Sequence, residues 1–410
     1  MTSWTTRTLG EVATVGAGNS APQDEALFAS GSVPFFRTSD VGRIRFGDID
    51  TATDLLNERG ANGLRRFASG TILFPKSGAS TFLNHRVMMQ VDGCVSSHLA
   101  TIAARRELAE PRFLLYFLAT VQAQDLVQNH AYPSLNLPLI AGIEVPLPPL
   151  PEQRRVVAIL DEAFEAIATA KVNTENNLRN IRALLDFTRR DVFASLAREH
   201  EPATMGQCCT FENGDRGKNY PGKEHRVAHG VPFVNAGHLT EDGLDFSQMD
   251  YISHERFELL GNGKIRPWDV LFCLRGSLGK FACVGDLGRG AIASSLVILR
   301  PGPGLTIGYL LEFLASTQCA EQIERHKGGA AQPNLGAQDL KRFELPLPPI
   351  HVQEATATRL ASLRAAVSDA KALLLTKLAA LHELKKSLLH QAFTGQLTAK
   401  STDQQLEAVA

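Results

Sequence analysis

The sequence predicts a mixed α+β chain of two tandem globular domains, each followed by a long helix, with the two helices paired as an antiparallel coiled coil. Three observations predict this fold: the chain repeats itself at a nearly constant offset, each copy contains short strand-like segments, and each copy ends in a long helical stripe of apolar residues. Two equal units in one chain pack most simply about a pseudo-twofold axis. The predicted segments are residues 1–145 (first globular domain), 146–200 (proline-rich corner and first long helix), 201–345 (second globular domain), 346–398 (second corner and helix) and 399–410 (polar C-terminal tail).

The repeat is visible as short sequence segments that recur in the same order in both halves. TLGEVATVGAG at Thr8 corresponds to TMGQCCTFENG at Thr204, and VPFFRTSDVG at Val33 corresponds to VPFVNAGHLT at Val231. The offset between corresponding residues stays between 196 and 200 within the globular parts and is 200 without a gap after the prolines. The chain therefore uses one unit, a globular domain plus a helix, twice.

Local patterns predict the elements of each domain. Short runs rich in Val, Ile and Phe, such as VPFF at Val33, TILF at Thr71 and DVLF at Asp269, are bounded by Gly, Ser, Asn and Asp, which is typical of strands and turns. The segments EPRFLLYFLATVQAQDLVQ at Glu110 and TIGYLLEFLASTQCAEQIE at Thr306 carry apolar residues at helical spacing. Each domain is therefore predicted to combine strands with one closing helix.

Each long helix follows a proline run, VPLPPLPEQ at Val145 and ELPLPPIHVQ at Glu344. Proline is excluded from helix interiors but accepted in a first helical turn, so each run predicts a rigid corner where a helix begins. The next roughly 45 residues lack Gly and Pro and place apolar residues every three or four positions, which predicts a helix about 65 Å long. Such a stripe needs a partner, either the other helix of this chain or another protein.

The composition is that of an ordinary folded protein, with 44% hydrophobic residues, 21% charged residues and a net charge of −1. At this net charge, nucleic-acid binding requires locally clustered cations or a partner that neutralises phosphates. The six cysteines show no CxxC pairing and no histidines at zinc spacing, so we expect reduced thiols and no metal. No apolar run has the length of a membrane span and the first residues lack a signal-peptide pattern, so we predict a cytoplasmic protein.

Motifs of the common enzyme classes are missing from the sequence. It has no GxxxxGK[ST] phosphate loop, no GxGxxG after a strand, no HExxH and no GxSxG. The words LPPL and LPPI are not the Asn-Pro-Pro-aromatic motif with which adenine methyltransferases hold a flipped base. We therefore predict no catalytic residues.

Polar loops instead occur at corresponding places in both copies, and their side chains differ. One loop follows VPFF and VPFV, a second follows TILF and DVLF, and a third precedes each proline run. Arg, Lys, Asn and Ser are side chains that contact phosphates and discriminate base edges, so divergent loops on a shared frame suit two readers of two DNA sequences. The candidate DNA-binding residues are Arg37, Thr38, Arg43, Lys76, Ser77, Asn84, His85, Arg86, Tyr132, Lys218, Asn219, Tyr220, Asn235, His238, Arg275, Ser277, Lys280 and Lys327.

Structural explanations for some of these residues stay open. Lys76 and Arg275 are also what solvated turns contain, and Tyr132 and Tyr220 can pack on their own domain instead of touching a nucleotide. His98, in the strand-like word SSHLATI, is expected to be a hydrogen-bonded framework histidine.

The sequence resembles the specificity subunits of type I restriction-modification systems over essentially its whole length. The resemblance rests on the duplicated domain-plus-helix plan, on PLPPLPEQRRVVAIL at the first helix, on LFPKSGAS and SSHLATI in the first half, and on ELPLPPI and HQAFTGQL near the end. It implies a non-catalytic subunit in which each globular part is a target recognition domain for one half of an asymmetric bipartite DNA site. The paired helices would act as the spacer that sets the gap between the two half-sites.

The resemblance also implies partner subunits. Two methyltransferase subunits, which bind S-adenosylmethionine and methylate adenine, and restriction subunits, which use ATP and Mg, would complete the complex, and this chain would hold no cofactor. The residues assigned in this way to contact with partner subunits are Pro148, Glu152, Gln153, Pro348 and Gln353. The second corner has no counterpart of Pro151 and Glu152, so we expect the corresponding contact to be weaker there.

Two other classes of protein remain as alternatives. A coiled-coil scaffold with two protein- or ligand-binding domains would show the same repeat, but it gives no reason for divergent loops on a fixed frame. A self-contained base-modifying enzyme would turn over S-adenosylmethionine as the isolated chain.

Overall fold

The computed structural model of the chain describes residues 4–127, 133–240, 243–328 and 333–398. It divides into two compact units, the first comprising residues 1–173 and 377–410 and the second comprising residues 174–376. Each unit therefore contains one globular domain together with part of both long helices. Among the described residues, no helix combines the length and the hydropathy that crossing a membrane requires.

The first globular domain is rich in short strands. Its strands are β1 (Thr5–Thr8), β2 (Ala13–Ala17), β3 (Val33–Phe36), β4 (Phe46–Ile49), β5 (Asp54–Leu56), β6 (Arg66–Phe67), β7 (Ile72–Pro75), β8 (Arg86–Met89), β9 (Gly93–Val95), β10 (Leu99–Ala104) and β11 (Glu144–Leu147). Its helices are α1 (Leu9–Val12), α2 (Thr38–Ile44), α3 (Glu58–Ala61), α4 (Pro111–Leu118), α5 (Ala123–Leu126) and α6 (Leu137–Ala141), with 3-10 turns at Glu25–Leu27 and Ala79–Leu83. The first long helix, α7, spans Leu150–Glu199.

The strands of the first domain form three sheets. One has the order β2-β10-β7-β8-β4, with β4 parallel to β8 and the other pairs antiparallel. A second has the order β5-β3-β9-β6, with β3 parallel to β9. The third pairs β1 with β11, so the start of the domain is held against the strand that contains the first proline of the corner.

The second domain repeats this plan. Its strands are β12 (Pro202–Thr204), β13 (Cys209–Asn213), β14 (Arg226–Val227), β15 (Val231–Val234), β16 (Leu239–Thr240), β17 (Gly243–Leu244), β18 (Asp250–Ile252), β19 (Lys264–Ile265), β20 (Val270–Cys273), β21 (Phe281–Cys283), β22 (Gly290–Ile292), β23 (Leu296–Pro301) and β24 (Glu344–Pro346). Its helices are α8 (Met205–Cys208), α9 (His254–Glu258), α10 (Ile307–Leu314), α11 (Thr317–His326) and α12 (Ala337–Lys341), with 3-10 turns at Lys223–His225 and Ala236–His238, and the second long helix, α13, spans Ile350–Phe393.

The sheets of the second domain follow those of the first but differ at their edges: the sheet of β13 lacks a counterpart of β4, and the sheet of β15 has one more strand. The strands β13, β23, β20 and β21 form one sheet, β14, β18, β15, β22 and β19 form another, β16 pairs with β17, and β12 pairs with β24 as β1 pairs with β11. The parallel pair β15–β22 corresponds to the parallel pair β3–β9. The repeat in the sequence is therefore a repeat of strand pairing.

The two long helices run antiparallel within each unit. In the first unit the start of α7 packs beside the end of α13, where Val156 and Leu389 belong to one buried apolar cluster. In the second unit the end of α7 packs beside the start of α13, where Phe193 and Leu360 belong to one cluster. The mixed fold and the antiparallel pairing of the helices predicted from the sequence are confirmed.

The predicted closing helix of each domain is divided into two helices, α4 with α5 and α10 with α11. At the first break the Thr120 hydroxyl donates a hydrogen bond to the carbonyl of Phe117 (2.7 Å), and at the second the Ser316 hydroxyl accepts from the N–H of Cys319 (3.2 Å). Such hydroxyls compete with helical backbone hydrogen bonds and cap helix ends, and this explains why the apolar periodicity overestimated the length of the helix.

Candidate functional site

The loops that follow β7 and β20 share one backbone frame. In the first domain the N–H of Lys76 donates to the carbonyl of His98 (3.0 Å), and in the second the N–H of Leu274 donates to the carbonyl of Ser295 (2.8 Å). Two residues later each loop has a glycine at positive φ, 76° and 78° respectively, a conformation that glycine adopts without strain. Corresponding positions in the two loops can therefore be compared side chain by side chain.

The side chains on this frame differ in chemistry. In the first domain, Ser77 Oγ and His98 Nδ1 lie 2.7 Å apart, within hydrogen-bond distance, and the imidazole is exposed. Arg275 and Ser295 occupy the corresponding positions in the second domain, and Arg275 is exposed. A hydroxyl–imidazole pair thus stands where the other domain presents a guanidinium. His98 was expected to be a framework residue; it is hydrogen bonded but lies at the surface, which its strand-like surroundings in the sequence concealed.

The remaining candidates near these loops are also accessible. Lys76 is half-buried, and Ser277 and Lys280 are exposed on the 274–280 loop, which joins the antiparallel strands β20 and β21. The first domain spans the same connection with residues 76–85, which include a 3-10 turn. The two domains therefore present their candidates on loops of different length as well as different composition.

The loops after β3 and β15 use their candidate residues in internal contacts. Arg37 forms an ion pair with Asp54, and its guanidinium lies 5.2 Å from the centre of the Phe35 ring. Asn235 occupies the corresponding position in the second domain, and its amide donates to Asp250 Oδ2 at 3.1 Å. Both Arg37 and Asn235 stay half-buried, so their polar heads are partly accessible but already paired.

His238 is a buried framework residue, which corrects its assignment to a DNA contact. Its Nδ1 accepts the N–H of Asn235 at 3.1 Å, and its Nε2 lies 3.0 Å from a backbone carbonyl. Asp40 performs the same capping role in the first domain by accepting the N–H of Arg37 at 2.9 Å. Thr38, at the start of α2, is half-buried.

Arg43 and His85 differ in the charge that they offer. Arg43 is exposed, with its guanidinium 3.7 Å from the carboxylate of the buried Asp40. His85 is half-buried, and burial, together with the charges of Arg45 and Arg86, lowers the pKa of its imidazole. His85 is therefore suited to hydrogen bonding as a neutral ring, whereas Arg43 supplies a positive charge.

Arg86 packs inside the first domain, and its assignment to DNA is corrected. Its side chain is fully buried, its guanidinium stacks 3.4 Å from the centre of the Phe74 ring, and it donates to the carbonyl of His85 at 2.7 Å. Burial lowers its pKa to about 9. Asn84 accepts the N–H of Ala123 at 2.8 Å, and its amide donates to two glutamine side chains, so its hydrogen-bonding groups are used within the domain.

A cleft of about 510 Å³ in the second domain contains two further candidates. It is lined by residues 213–219 with Leu259, Gly261 and Asn262. Lys218 is exposed at this cleft, while the amide of Asn219 donates to a backbone carbonyl at 2.8 Å. The N–H groups of Gly217 (2.7 Å) and Gly261 (2.8 Å) donate to Asp215 and hold the pKa of its carboxyl below the usual value, so this loop is anchored by an ionised acid.

Two other candidates are placed by the structure and one is not. Tyr220 packs against Phe233, with 5.9 Å between the ring centres, so it supports its own domain. Lys327 is exposed at the end of α11 and pairs with Glu324 at 2.5 Å. Tyr132 lies outside the described residues.

The accessible candidates form a different set in each domain. In the first domain they are Arg43, Lys76 and Ser77, to which the structure adds His98, and in the second they are Lys218, Arg275, Ser277, Lys280 and Lys327. We call these two sets the candidate reading residues. The second set carries more positive charge than the first.

A buried glutamine builds the first proline corner. The side chain of Gln153 is fully buried. Its amide donates to the carbonyls of Pro148 (2.8 Å) and Leu108 (3.0 Å), and its Oε1 accepts the N–H of Glu110 (2.8 Å). These bonds tie the proline run, the first turn of α7 and the segment before α4 to each other.

The second corner has the same construction. Gln353 is fully buried, donates to the carbonyls of Pro348 (2.8 Å) and Gly304 (2.9 Å), and accepts the N–H of Thr306 (2.9 Å). Its bonds match those of Gln153 although the neighbouring sequence differs. Four of the five residues assigned to partner contacts are therefore buried and shape the corners from inside. They are Gln153, Gln353, Pro148 and Pro348. Glu152 is half-buried and remains accessible.

Two mixed α/β domains that share a frame, differ in their polar loops and are each joined to a long helix by a rigid corner define a duplicated recognition protein. The family model described as the type I restriction modification DNA specificity domain matches residues 1–180 and again residues 199–376. The chain belongs to this family.

Curated relatives share modest identity with the chain. The type I restriction enzyme EcoBI specificity subunit of Escherichia coli is 23% identical over 284 residues, 62% of this chain and 59% of that protein. The MjaIX specificity subunit of Methanocaldococcus jannaschii is 23% identical over 188 residues, 45% of this chain and 42% of that protein. The chain thus aligns with less than two thirds of the length of these two relatives. The putative MjaX specificity subunit of the same archaeon is 21% identical over 327 residues, 74% of this chain and 72% of that protein.

Solved structures agree with the fold. A structure described as the structural basis of complex assembly and conformational transition of the type I R-M system matches with a TM-score of 0.78, 20% identity, and coverage of 97% of this chain and 99% of that chain. The crystal structure of the HsdS subunit from Thermoanaerobacter tengcongensis matches with a TM-score of 0.64, 20% identity, and coverage of 97% and 98%.

Proposed function

We propose that this chain is the sequence-specific DNA-binding subunit of a type I restriction-modification complex and that it reads an asymmetric bipartite site, one half with each globular domain. One observation carries the proposal: corresponding loops on the same backbone frame present Ser77 with His98 in one domain and Arg275 in the other. A guanidinium recognises the O6 and N7 acceptors of guanine with two hydrogen bonds, whereas a hydroxyl–imidazole pair offers a mixed donor and acceptor edge. The two domains are thereby suited to different base sequences.

Both phosphate contacts and base contacts are needed at each half-site. Phosphate contacts position a protein on the duplex, and base contacts specify the sequence. The exposed Lys218, Lys280 and Lys327 have the chemistry for phosphates, and the first domain offers Arg43 and Lys76. Because the net charge of the chain is −1, we propose that partner subunits share the neutralisation of the DNA backbone.

The partners proposed for the chain are double-stranded DNA, two methyltransferase subunits and restriction subunits. In this proposal S-adenosylmethionine, ATP and Mg bind to those partners, and the chain itself contributes recognition and docking without catalysis. The long helices hold the gap between the half-sites constant, since each helix contributes residues to both compact units. At the first corner, Glu152 is the accessible residue proposed for a methyltransferase contact.

An exchange of one domain tests the proposal. The strand β11 ends at Leu147 and pairs with β1, so an exchange of residues 1–147 keeps both strands in the donor segment, whereas an exchange ending at residue 145 would divide β11. The hybrid is co-expressed with the methyltransferase subunit, and the methylated motifs of the host are read by single-molecule sequencing. One half of the modified motif should change, while the other half and the gap remain.

The reciprocal exchange of the second domain is the matched control and should change the other half only. If either exchange altered both halves, the assignment of one half-site to each domain would be wrong. Absence of any modified motif and of DNA binding with the unaltered chain would favour the scaffold alternative.

A further inference from the structure

The two junctions between domain and helices share one apolar frame. The first junction places α4 against the start of α7 and the end of α13, and there Phe393 packs on Phe113 with 5.2 Å between ring centres. The second junction places α10 against the end of α7 and the start of α13, and there Phe193 packs on Tyr309 at 5.3 Å. Phe193 and Phe393 are 200 positions apart, so the same helix position makes the same contact at both junctions.

The polar chemistry of the first junction is built around Asp161 and Lys385. Asp161, on α7, accepts hydrogen bonds from the Tyr116 hydroxyl and from Arg112 Nε (3.2 Å). Lys385, on α13, places its ammonium 4.5 Å from the centre of the Phe46 ring and 4.7 Å from that of Phe164, which is favourable cation–π geometry. One turn after Lys385 the helix presents Leu389, a member of the buried apolar cluster.

The second junction uses a buried carboxylate instead. Glu312, on α10, is 2% exposed and accepts a hydrogen bond from Arg189 Nε at 3.0 Å. Arg364, on α13, pairs with the other oxygen of the same carboxylate. The side chain of Arg189 is itself only 7% exposed, so this contact is shielded from water.

The residues of the two junctions correspond position by position but are chemically opposed. Using the offset of 200 along the helices and of 196 between α4 and α10, the pairs are Tyr116 with Glu312, Phe164 with Arg364, Leu185 with Lys385, and Arg189 with Leu389. Each half of the chain therefore carries side chains that fit the other half and not a copy of itself.

We propose that these four pairs of residues act as a pairing code that directs residues 1–200 to associate with residues 201–398 in preference to a second copy of either half. The inference does not depend on DNA binding, because each contact lies within a compact unit formed by segments of both halves.

Association of two copies of residues 1–200 would place an unfavourable side chain at a buried position. The end of a second α7 would bring Arg189 to the place of Leu389, inside an apolar cluster and beside Tyr116 rather than a glutamate. The neighbouring carboxylate of Asp161 already accepts hydrogen bonds from two donors. A buried guanidinium without a free partner is strongly unfavourable.

Self-association of the second half would fail for the complementary reason. Leu389 would replace Arg189 beside the buried Glu312, removing one of its two cations. Lys385 would meet Arg364 instead of Phe164, so a cation–π contact would become a repulsion between like charges.

Cleavage of the full-length protein tests the code. A protease site is inserted between His200 and Glu201, after the end of α7, so that every residue of the chain remains present after cleavage. The cleaved protein is unfolded in denaturant, refolded by dilution and weighed by native mass spectrometry, since the two halves differ in mass. We expect the mixed pair to exceed either self-pair at least about tenfold. A random mixture of the three pairs would overturn the proposal.

A matched variant makes the two halves alike at all four positions through Arg189→Leu, Glu312→Tyr, Arg364→Phe and Lys385→Leu. Self-pairs should then appear in the same experiment, and persistence of the mixed pair alone would show that selection resides elsewhere and overturn the proposal.

The uncut chain provides a second test that does not require the quadruple variant to fold. Arg189→Leu should lower the unfolding temperature, and the addition of Glu312→Tyr should restore about half of the loss or more, because it places at the second junction the tyrosine and leucine that belong to one buried cluster at the first. If the two substitutions lowered the unfolding temperature additively, the pairing code would be wrong.

Discussion

Gln153 and Gln353, 200 positions apart, have fully buried side chains that make the same three hydrogen bonds at the two proline corners. In each case one side chain donates to the carbonyl of Pro148 or Pro348 in the proline run and to a second carbonyl from the preceding loop, and it accepts an N–H at the start of a helix. The second corner is therefore built as firmly as the first, although it lacks counterparts of Pro151 and Glu152.

The first prediction concerns these glutamines. Gln153→Ala and Gln353→Ala should each lower the free energy of unfolding by about 1–3 kcal/mol, because the buried carbonyl of Pro148 or Pro348 loses its side-chain partner and two partly buried hydrogen bonds are lost with it. Urea denaturation of the whole chain measures the loss. Glu152→Ala, one position away but half-buried, is the control and should change stability by less than about 0.5 kcal/mol. If the substitutions at 152 and 153 lowered the free energy of unfolding equally, the stabilising role of the glutamine hydrogen bonds would be wrong.

The second prediction concerns pH and an ion network in the second domain. Arg300 pairs with Glu212 and with Asp269 (2.7 Å), the latter carboxylate being almost fully buried. Burial opposes the ionisation of Glu212, but the hydrogen bond and charge of Arg300 outweigh it, and the pKa of Glu212 is lowered from its usual 4.5. A lowered folded-state pKa stabilises the protein above the unfolded-state pKa, and this stabilisation is lost as the pH falls through the folded-state value.

The comparison of wild type with Glu212→Gln isolates this contribution. The difference in unfolding free energy between the two should be largest above pH 4.5 and should shrink as the pH falls below it. Chemical denaturation at a series of pH values measures the difference. A constant difference between pH 3 and 7 would show that Glu212 does not carry this linkage.

Much of the fold was predictable because its signals are local or repeated. The words VPFF and DVLF form strands β3 and β20 where apolar runs and turn residues indicated them, and the Gly-free stripes form the two long helices. The repeat added what local patterns lack, since it showed that two domains share one frame. The break between α4 and α5 was missed because Thr120 interrupts the helix through a side-chain hydrogen bond, which apolar spacing does not record.

The candidate site was less predictable, since burial depends on the tertiary structure. Arg86 has the residue type of a DNA contact, but the fold places it on the ring of Phe74 beneath the surface. Gln153 resembles an accessible residue at a helix start, yet it is the centre of the corner. The pairing of Ser77 with His98 joins loops that are apart in the sequence, and no spacing rule indicated it.

The third prediction tests the candidate reading residues. Arg275→Ala should affect only the half-site read by the second domain, and Ser77→Ala with His98→Ala should affect only the other half. If Arg275 contacts a base edge, its loss should reduce discrimination at one position by about 1–3 kcal/mol. Binding of the chain with its methyltransferase partner to DNA variants at fixed salt measures the effect.

A phosphate contact has a different signature. It would weaken binding to all sequences alike and reduce the slope of log affinity against log salt by about 0.9. Arg182→Ala, which removes an exposed arginine from α7, is the control for loss of charge. An effect of Arg275→Ala no greater than that of Arg182→Ala would remove Arg275 from the reading residues.

The last prediction concerns the long helices as the spacer. Insertion of one heptad after Asn173 in α7 and one after Thr376 in α13 adds about 10 Å to each antiparallel helix and keeps the apolar stripe within about 20° of its original face. The insertion points lie where each helix passes from one compact unit to the other, so contacts within the units are left intact.

Because duplex DNA rises about 3.4 Å per base pair, the gap in the methylated motif should lengthen by about three base pairs. The same insertion also rotates one half-site around the duplex, so loss of modification is the other expected outcome. An insertion in one helix alone should abolish modification, since it shifts the two stripes out of register. Methylome sequencing of a host carrying the doubly extended chain distinguishes these outcomes. A modified motif with its original gap would show that the helices are not the spacer that sets the gap.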